Sequence, residues 1–192
     1  MKNNLRRSSG RSRAAKSSVF TPALTKRIVL YGILILILCA AQCSFFSRLK
    51  PFGATPDLLL GMLVAIILLD SSSAAAICAV AAGYMIDSIG AVPPSFSPLY
   101  YLACVAYLAA ISAKMLPRFV SFCLLLSASL MGRAAFTFIS LFISGRAFPS
   151  MRFFFSTAIS EAVSTLVFCL PIYFLVKFIA SVIGARKKFD FT

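Results

Sequence analysis

The 192 residues contain no histidine, no tryptophan and only five acidic side chains. Without histidine the usual zinc and haem constellations cannot be built, and no Cys-x-x-Cys pair replaces them. The six cysteines (Cys39, Cys43, Cys78, Cys104, Cys123 and Cys169) all fall inside apolar runs. They read as small buried side chains, with Cys39 and Cys43 on one helix face. So few acids leave few general acid–base candidates. Asp87 and Glu161 offer one carboxylate pair, but nothing in their spacing selects a reaction. The expectation is a non-enzymatic protein with no catalytic residue, no metal site and no cofactor.

Charge of either sign is scarce too, at 12% of residues against roughly 25% in soluble domains. Hydrophobic residues make up 60% of the chain, and the mean hydropathy is +0.95. A soluble domain of this length has no interior large enough to hide so much apolar surface. The chain therefore reads as an integral membrane protein.

The net charge of +14 would suggest nucleic acid if it were spread through the chain. Instead, eight of the 19 basic residues precede position 28, and Arg186, Lys187 and Lys188 lie close to the other end. Bases piled beside apolar segments are the positive-inside signal and also attract anionic lipid. No aromatic-interleaved basic patch accompanies them, so no nucleic-acid role is expected.

Residues 1–27 are basic, serine-rich and too poor in apolar residues to form an amphipathic face, which predicts a disordered cytoplasmic tail. Six apolar segments follow, at 28–46, 58–69, 74–89, 99–115, 119–143 and 153–183, and a short basic tail occupies 184–192. The first segment is longer than a signal-peptide core and has no clean cleavage site, so it reads as a retained span. The second and third are short for a crossing of about 30 Å. Turn-rich stretches separate several of them, including RLKPFGATP at 48–56 and GAVPPSFSP at 90–98, and Pro171 interrupts the last. The fold class is thus an all-α membrane protein, a six-transmembrane-helix bundle spanning 28–183. With six spans, the side holding both termini collects thirteen bases and the other side four, which puts both ends in the cytoplasm.

Four polar side chains inside these segments need an explanation. At about 1.5 Å per residue, Asp87 lies roughly 20 Å into the third segment and Arg133 roughly 21 Å into the fifth. Gln42 lies at a similar depth in the first. Glu161 enters from the opposite side by about 12 Å, which brings it to the same layer. Arg133 is the one cation at that depth, so the expected network is an Asp87–Arg133 pair completed by Glu161 and Gln42. Asp57, directly after Pro56, sits where a helix N-cap belongs. Small residues recur every four positions as Ala75, Ala79 and Gly83, and again as Ser156, Ser160 and Ser164. Such stripes let helices approach closely in lipid, within the bundle or against a partner.

Pro56-Asp57-Leu58-Leu59-Leu60, followed one segment later by Gly83 and Asp87 in a Gly-x-x-x-Asp pattern, resembles the bacterial rod-shape-determining MreD family. The resemblance implies a multi-pass subunit of the bacterial cytoplasmic (inner) membrane, working in lateral-wall peptidoglycan synthesis as a scaffold or assembly partner. The partners it implies are an MreC-like single-span protein, the actin-like cytoskeletal filament and the RodA–transpeptidase synthase. It also implies a fold similar to the substrate-binding subunits of energy-coupling-factor transporters. The rival reading is therefore the substrate-binding membrane subunit of a vitamin-type transporter.

Overall fold

The computed structural model describes residues 22–89, 97–112, 119–143 and 151–182. Both ends of the chain beyond these, the Pro93-Pro94 loop, Lys114, Arg118 and Arg146 lie outside the described residues. Among those described, nearly everything is helical: α1 (Pro22–Ala40), α2 (Ser47–Leu49), α3 (Leu58–Leu69), α4 (Ser72–Ile89), α5 (Ser97–Ser112), α6 (Phe119–Ile143) and α7 (Met151–Val182). A π-helical segment, Ala41–Phe46, joins α1 to α2, and a 3-10 turn, Pro51–Gly53, precedes α3.

The apolar pattern explains both the helices and their surroundings. On α1 the buried side chains are Tyr31, Leu34, Ile35, Leu38 and Cys39, one helical stripe, yet the opposite face carries exposed Ile33, Leu36 and Ile37. A helix that is apolar all round belongs in a membrane or a large core. Among the described residues, four stretches are long and apolar enough to cross a membrane: Thr25–Leu49, Ser72–Ile89, Phe119–Ile139 and Phe154–Val182. The remaining two apolar helices, α3 and α5, are shorter.

The first helix begins earlier than the sequence suggests. Proline is suited to the first turn of a helix, where its missing N–H loses no bond, and α1 starts at Pro22. Lys26 and Arg27, assigned above to a disordered tail, are therefore helical. Pro171 lies inside α7, which continues through it.

The short helix α3 is the centre of the molecule. It packs against α1, α4, α5, α6 and α7, and every residue from Leu58 to Leu68 is buried. Twelve residues rise only about 18 Å, so both ends of α3 fall inside the thickness that the longer helices cover. Lipid tails are as apolar as leucine, so helices in a bilayer gain from close approach more than from hydrophobic burial. Two glycines provide that approach. A Cβ on Gly61 would lie 2.1 Å from the Sγ of Cys169 on α7, and one on Gly83 would lie 2.4 Å from the Cα of Pro98 on α5. Ala75 and Ala79 of the same α4 stripe are fully buried. Of the serine stripe, Ser164 is buried, Ser160 half-buried and Ser156 exposed, so only its later part faces the bundle.

Polar contacts give the helix directions. Gln42, near the end of the first span, meets the start of α3, and Arg27, near its beginning, meets the residue that ends α3. These two helices are antiparallel. Thr165 and Cys169 of α7 follow Asp57 and Gly61 in the same order, so α7 runs parallel to α3. Val182 accordingly lines a groove with Thr25, Lys26, Val29 and Leu30, which puts the start of α1 and the end of α7 at one end of the bundle.

Candidate functional site: a buried carboxylate at the start of α3

An α-helix starts with backbone N–H groups that have no partner in the helix. In α3 these groups are buried, so other parts of the chain must satisfy them. The N–H of Asp57 donates to Thr165 Oγ1 of α7 at 3.0 Å, and that of Leu58 to Gln42 Oε1 of the π segment at 3.1 Å. The N–H of Leu60 donates to Asp57 Oδ1 at 3.1 Å, the side-chain cap expected of an aspartate after a proline.

Asp57 does more than cap. It is 0% exposed, and the Tyr101 hydroxyl of α5 donates to its two oxygens at 3.1 and 3.0 Å. Arg133 of α6 forms an ion pair with Asp57 Oδ2 through Nη1, and a second with Glu161 Oε1 of α7 through Nε at 3.0 Å. Five segments of the chain thus meet around Asp57, three of them at its carboxylate. Beside it, the Tyr100 hydroxyl donates to the Ser129 carbonyl at 2.7 Å, fixing α5 against α6.

How Asp57 reaches this depth follows from Gln42. The Leu58 N–H meets Gln42, and Gln42 lies seven residues, about 10 Å, before the end of α2 at Leu49. The chain must therefore turn back into the bundle after Leu49. Lys50 (φ 39°), Phe52 (φ 58°) and Gly53 (φ 83°) make that reversal in left-handed backbone conformations, and the Ser164 hydroxyl donates to the Pro51 carbonyl at 2.8 Å to hold it. The π segment, a form that recurs at functional positions, carries Gln42 to the start of α3.

The polar side chains named from the sequence gather around a different acid, Asp57. Gln42 meets the Leu58 N–H and Arg133 pairs with Asp57 and Glu161, but Arg133 makes no ion pair with Asp87. Depth does not specify direction. Arg133 continues the α6 stripe of Phe122, Leu126, Ser129 and Leu130, which packs on α3, α5 and α7, whereas Asp87 lies on α4, which packs on α1, α3 and α5. Asp87 is half-buried, and its Oδ1 has no hydrogen-bond partner among the described residues. Its family-motif companion Gly83 serves the contact with Pro98.

A second buried carboxylate was not anticipated. Asp70 ends α3, its side chain is 1% exposed, and Arg27 Nη1 lies 2.9 Å from its Oδ1. The Tyr31 hydroxyl donates to Oδ2 at 3.0 Å. Arg27 and Tyr31 are four residues apart on α1 and so share a face. That spacing, opposite an acid closing an apolar segment, was the available signal.

Among the described residues no three metal-ligating side chains come together, and all six cysteines are free. Among the described residues, a groove of about 450 Å³ between α1 and α4 is lined by Leu36, Cys39, Ala81, Tyr84 and Met85 among others. No family model, curated protein or solved structure matches this chain.

Proposed function

We propose that the protein is a non-enzymatic membrane scaffold: a six-span bundle of the bacterial cytoplasmic membrane with both termini in the cytoplasm. In this reading it is a subunit of the machinery for cell shape and lateral-wall peptidoglycan synthesis, and it docks an MreC-like single-span protein. Through that partner it would adjoin the actin-like filament and the RodA–transpeptidase synthase. The observation that carries the reading is the position of α3, buried from Leu58 to Leu68 among five other helices. A substrate-binding subunit needs a polar cavity among its helices, whereas here α3 occupies the centre and the polar groups of Asp57, Tyr101, Arg133 and Thr165 are engaged with one another. The shared end of α1 and α7 supports the even number of spans. The Pro56-Asp57-Leu58 stretch that carries the family resemblance is also the one around which the bundle is built.

The test is co-purification from bacterial membranes with an MreC-like protein, combined with native mass spectrometry of the purified chain. Recovery of that partner, with no retained small molecule, is the expected result. A retained vitamin-sized ligand and no such partner would overturn the scaffold reading in favour of the carrier.

A further inference from the structure

The reversal between α2 and α3 makes a surface that nothing inside the bundle requires. Phe45 and Leu49, four residues apart on one helical face, are each 59% exposed, and Phe52 beyond them is 63% exposed. Arg48 and Lys50 are exposed between these apolar side chains. The first acid in the chain is Asp57, and it is buried and paired with Arg133. The patch is therefore apolar and positively charged, with no acid of its own stretch to neutralise it.

The backbone directs this patch outward at an energetic cost. Phe52 has a φ of 58°, and a non-glycine residue in that region costs on the order of 1–3 kcal/mol. The Pro51 carbonyl on one side is held by Ser164, and the Gly53 N–H on the other donates to Lys50 O at 2.8 Å. The phenyl ring between these anchors stays largely outside the bundle. Its depth suggests what covers it. The stretch Thr25–Leu49 has 25 residues, a rise of about 37 Å, which exceeds a hydrocarbon core of about 30 Å. Leu49, Lys50 and Phe52 therefore emerge where acyl chains meet headgroups, the level at which aromatic and long basic side chains are both satisfied.

We infer that Phe45, Leu49 and Phe52, with Arg48 and Lys50, form an interfacial anchor that binds anionic phospholipid in the leaflet opposite the basic N-terminal segment. The apolar side chains would enter the acyl boundary by about 5–10 Å, and the two bases would take the headgroup phosphates. This inference needs only the membrane setting and stands or falls separately from the identity of any protein partner.

The chain's lack of tryptophan makes the test direct. Phe52→Trp and, independently, Leu49→Trp each place a single fluorophore in the full chain, reconstituted in phosphatidylcholine vesicles with or without phosphatidylglycerol. The expected result is blue-shifted emission, quenched more by lipid brominated high on the acyl chain than near its end. Brominated phosphatidylglycerol should quench more than brominated phosphatidylcholine, and Arg48→Gln with Lys50→Gln should abolish that difference. Equal quenching by the two headgroups in the unmodified background would overturn the anionic preference. Water-like emission quenched by acrylamide in both single-tryptophan variants would overturn lipid contact altogether and leave the face to a protein partner.

Discussion

The two ends of α3 solve one problem with the same three residue types and unequal completeness. At the Asp57 end the carboxylate receives a backbone N–H, a tyrosine hydroxyl and an arginine, and that arginine uses a second nitrogen on Glu161. At the Asp70 end the carboxylate receives a tyrosine and an arginine, but Arg27 Nε is buried without a hydrogen-bond partner among the described residues. The helix dipole deepens the contrast, since it favours an anion at the start of α3 and disfavours one at its end, by about 0.3–1 kcal/mol each. Depth matters more. Arg133 lies fourteen residues into α6, about 21 Å, while Arg27 lies five residues into α1, about 8 Å. Water or lipid headgroups can substitute for a lost partner near a helix end and not in mid-bundle.

The largest expected effect therefore comes from breaking the Asp57 end. Arg133→Ala leaves a fully buried carboxylate unpaired, which typically costs about 3–5 kcal/mol. Chemical unfolding in mixed micelles should show a loss of that size. Asp57→Asn combined with Arg133→Gln should recover much of it, because asparagine still caps α3. Asp87→Asn should not destabilise the bundle, because it removes a charge whose buried Oδ1 has no hydrogen-bond partner among the described residues. A larger loss at Asp87 than at Arg133 would return Asp87 to the centre of the layer.

Gly61 sharpens the comparison one turn further along α3. Gly61→Ala drives a methyl group into the Cys169 side chain at 2.1 Å, and such overpacking costs typically about 1–3 kcal/mol. Cys169→Ala should relieve part of the loss, because the obstructing Sγ is removed. No comparable rescue is expected for Gly83→Ala, where the nearest atoms belong to the backbone of Pro98. Equal rescue at both glycines would mean that the helices shift apart easily.

The levels of Gln42, Arg133 and Glu161 could be read from the sequence because each lies within a long apolar run whose ends can be located, and residue counts convert to depth. The depth of Asp57 could not. It stands at the start of a span, after a turn, where counting puts it at the surface. Only the left-handed reversal through Lys50 and Phe52 carries it inward, and non-glycine residues with positive φ have no dependable sequence signal. The Arg27–Asp70 pair was hidden for a related reason. Arg27 looked like one more base in a polar tail, although Pro22 had already begun the helix. The direction in which each polar side chain points depends on packing partners, so residue counting alone gives Asp87 the wrong neighbour.

Arg27→Gln tests the weaker end. Losing a hydrogen-bonded charge partner here should cost about 1.5–3 kcal/mol, less than at Arg133, with Tyr31 still bonded to Asp70. Salt should separate the two ends as well. The Arg27 and Arg133 side chains are 24% and 30% exposed, so depth and not exposure separates them. Arg27 lies five residues into α1, near the end of the bundle, and the Arg27→Gln loss should shrink as ionic strength rises and the Debye length falls to a few ångströms. The loss at Arg133 should hold constant across the same range. Parallel salt dependence would mean that water reaches both ends alike.

The smallest effects should come from the tyrosines, and here the order is expected to reverse. Tyr101→Phe removes a hydroxyl shared between the two oxygens of Asp57, but Asp57 keeps Arg133 and the Leu60 N–H. Tyr31→Phe removes the hydroxyl that donates to Asp70 Oδ2, and the dipole at that end opposes the charge instead of supporting it. A single hydrogen bond contributes about 0.5–1.5 kcal/mol net, and more toward a charged acceptor. The carboxylate that the dipole supports should lose less of it, so Tyr31→Phe should destabilise the bundle more than Tyr101→Phe, even though Arg133→Ala exceeds Arg27→Gln. Measuring the four variants under one set of unfolding conditions tests both orders at once. If Tyr101→Phe proved the costlier tyrosine change, burial alone would rank the two ends and the direction of the helix dipole would not matter.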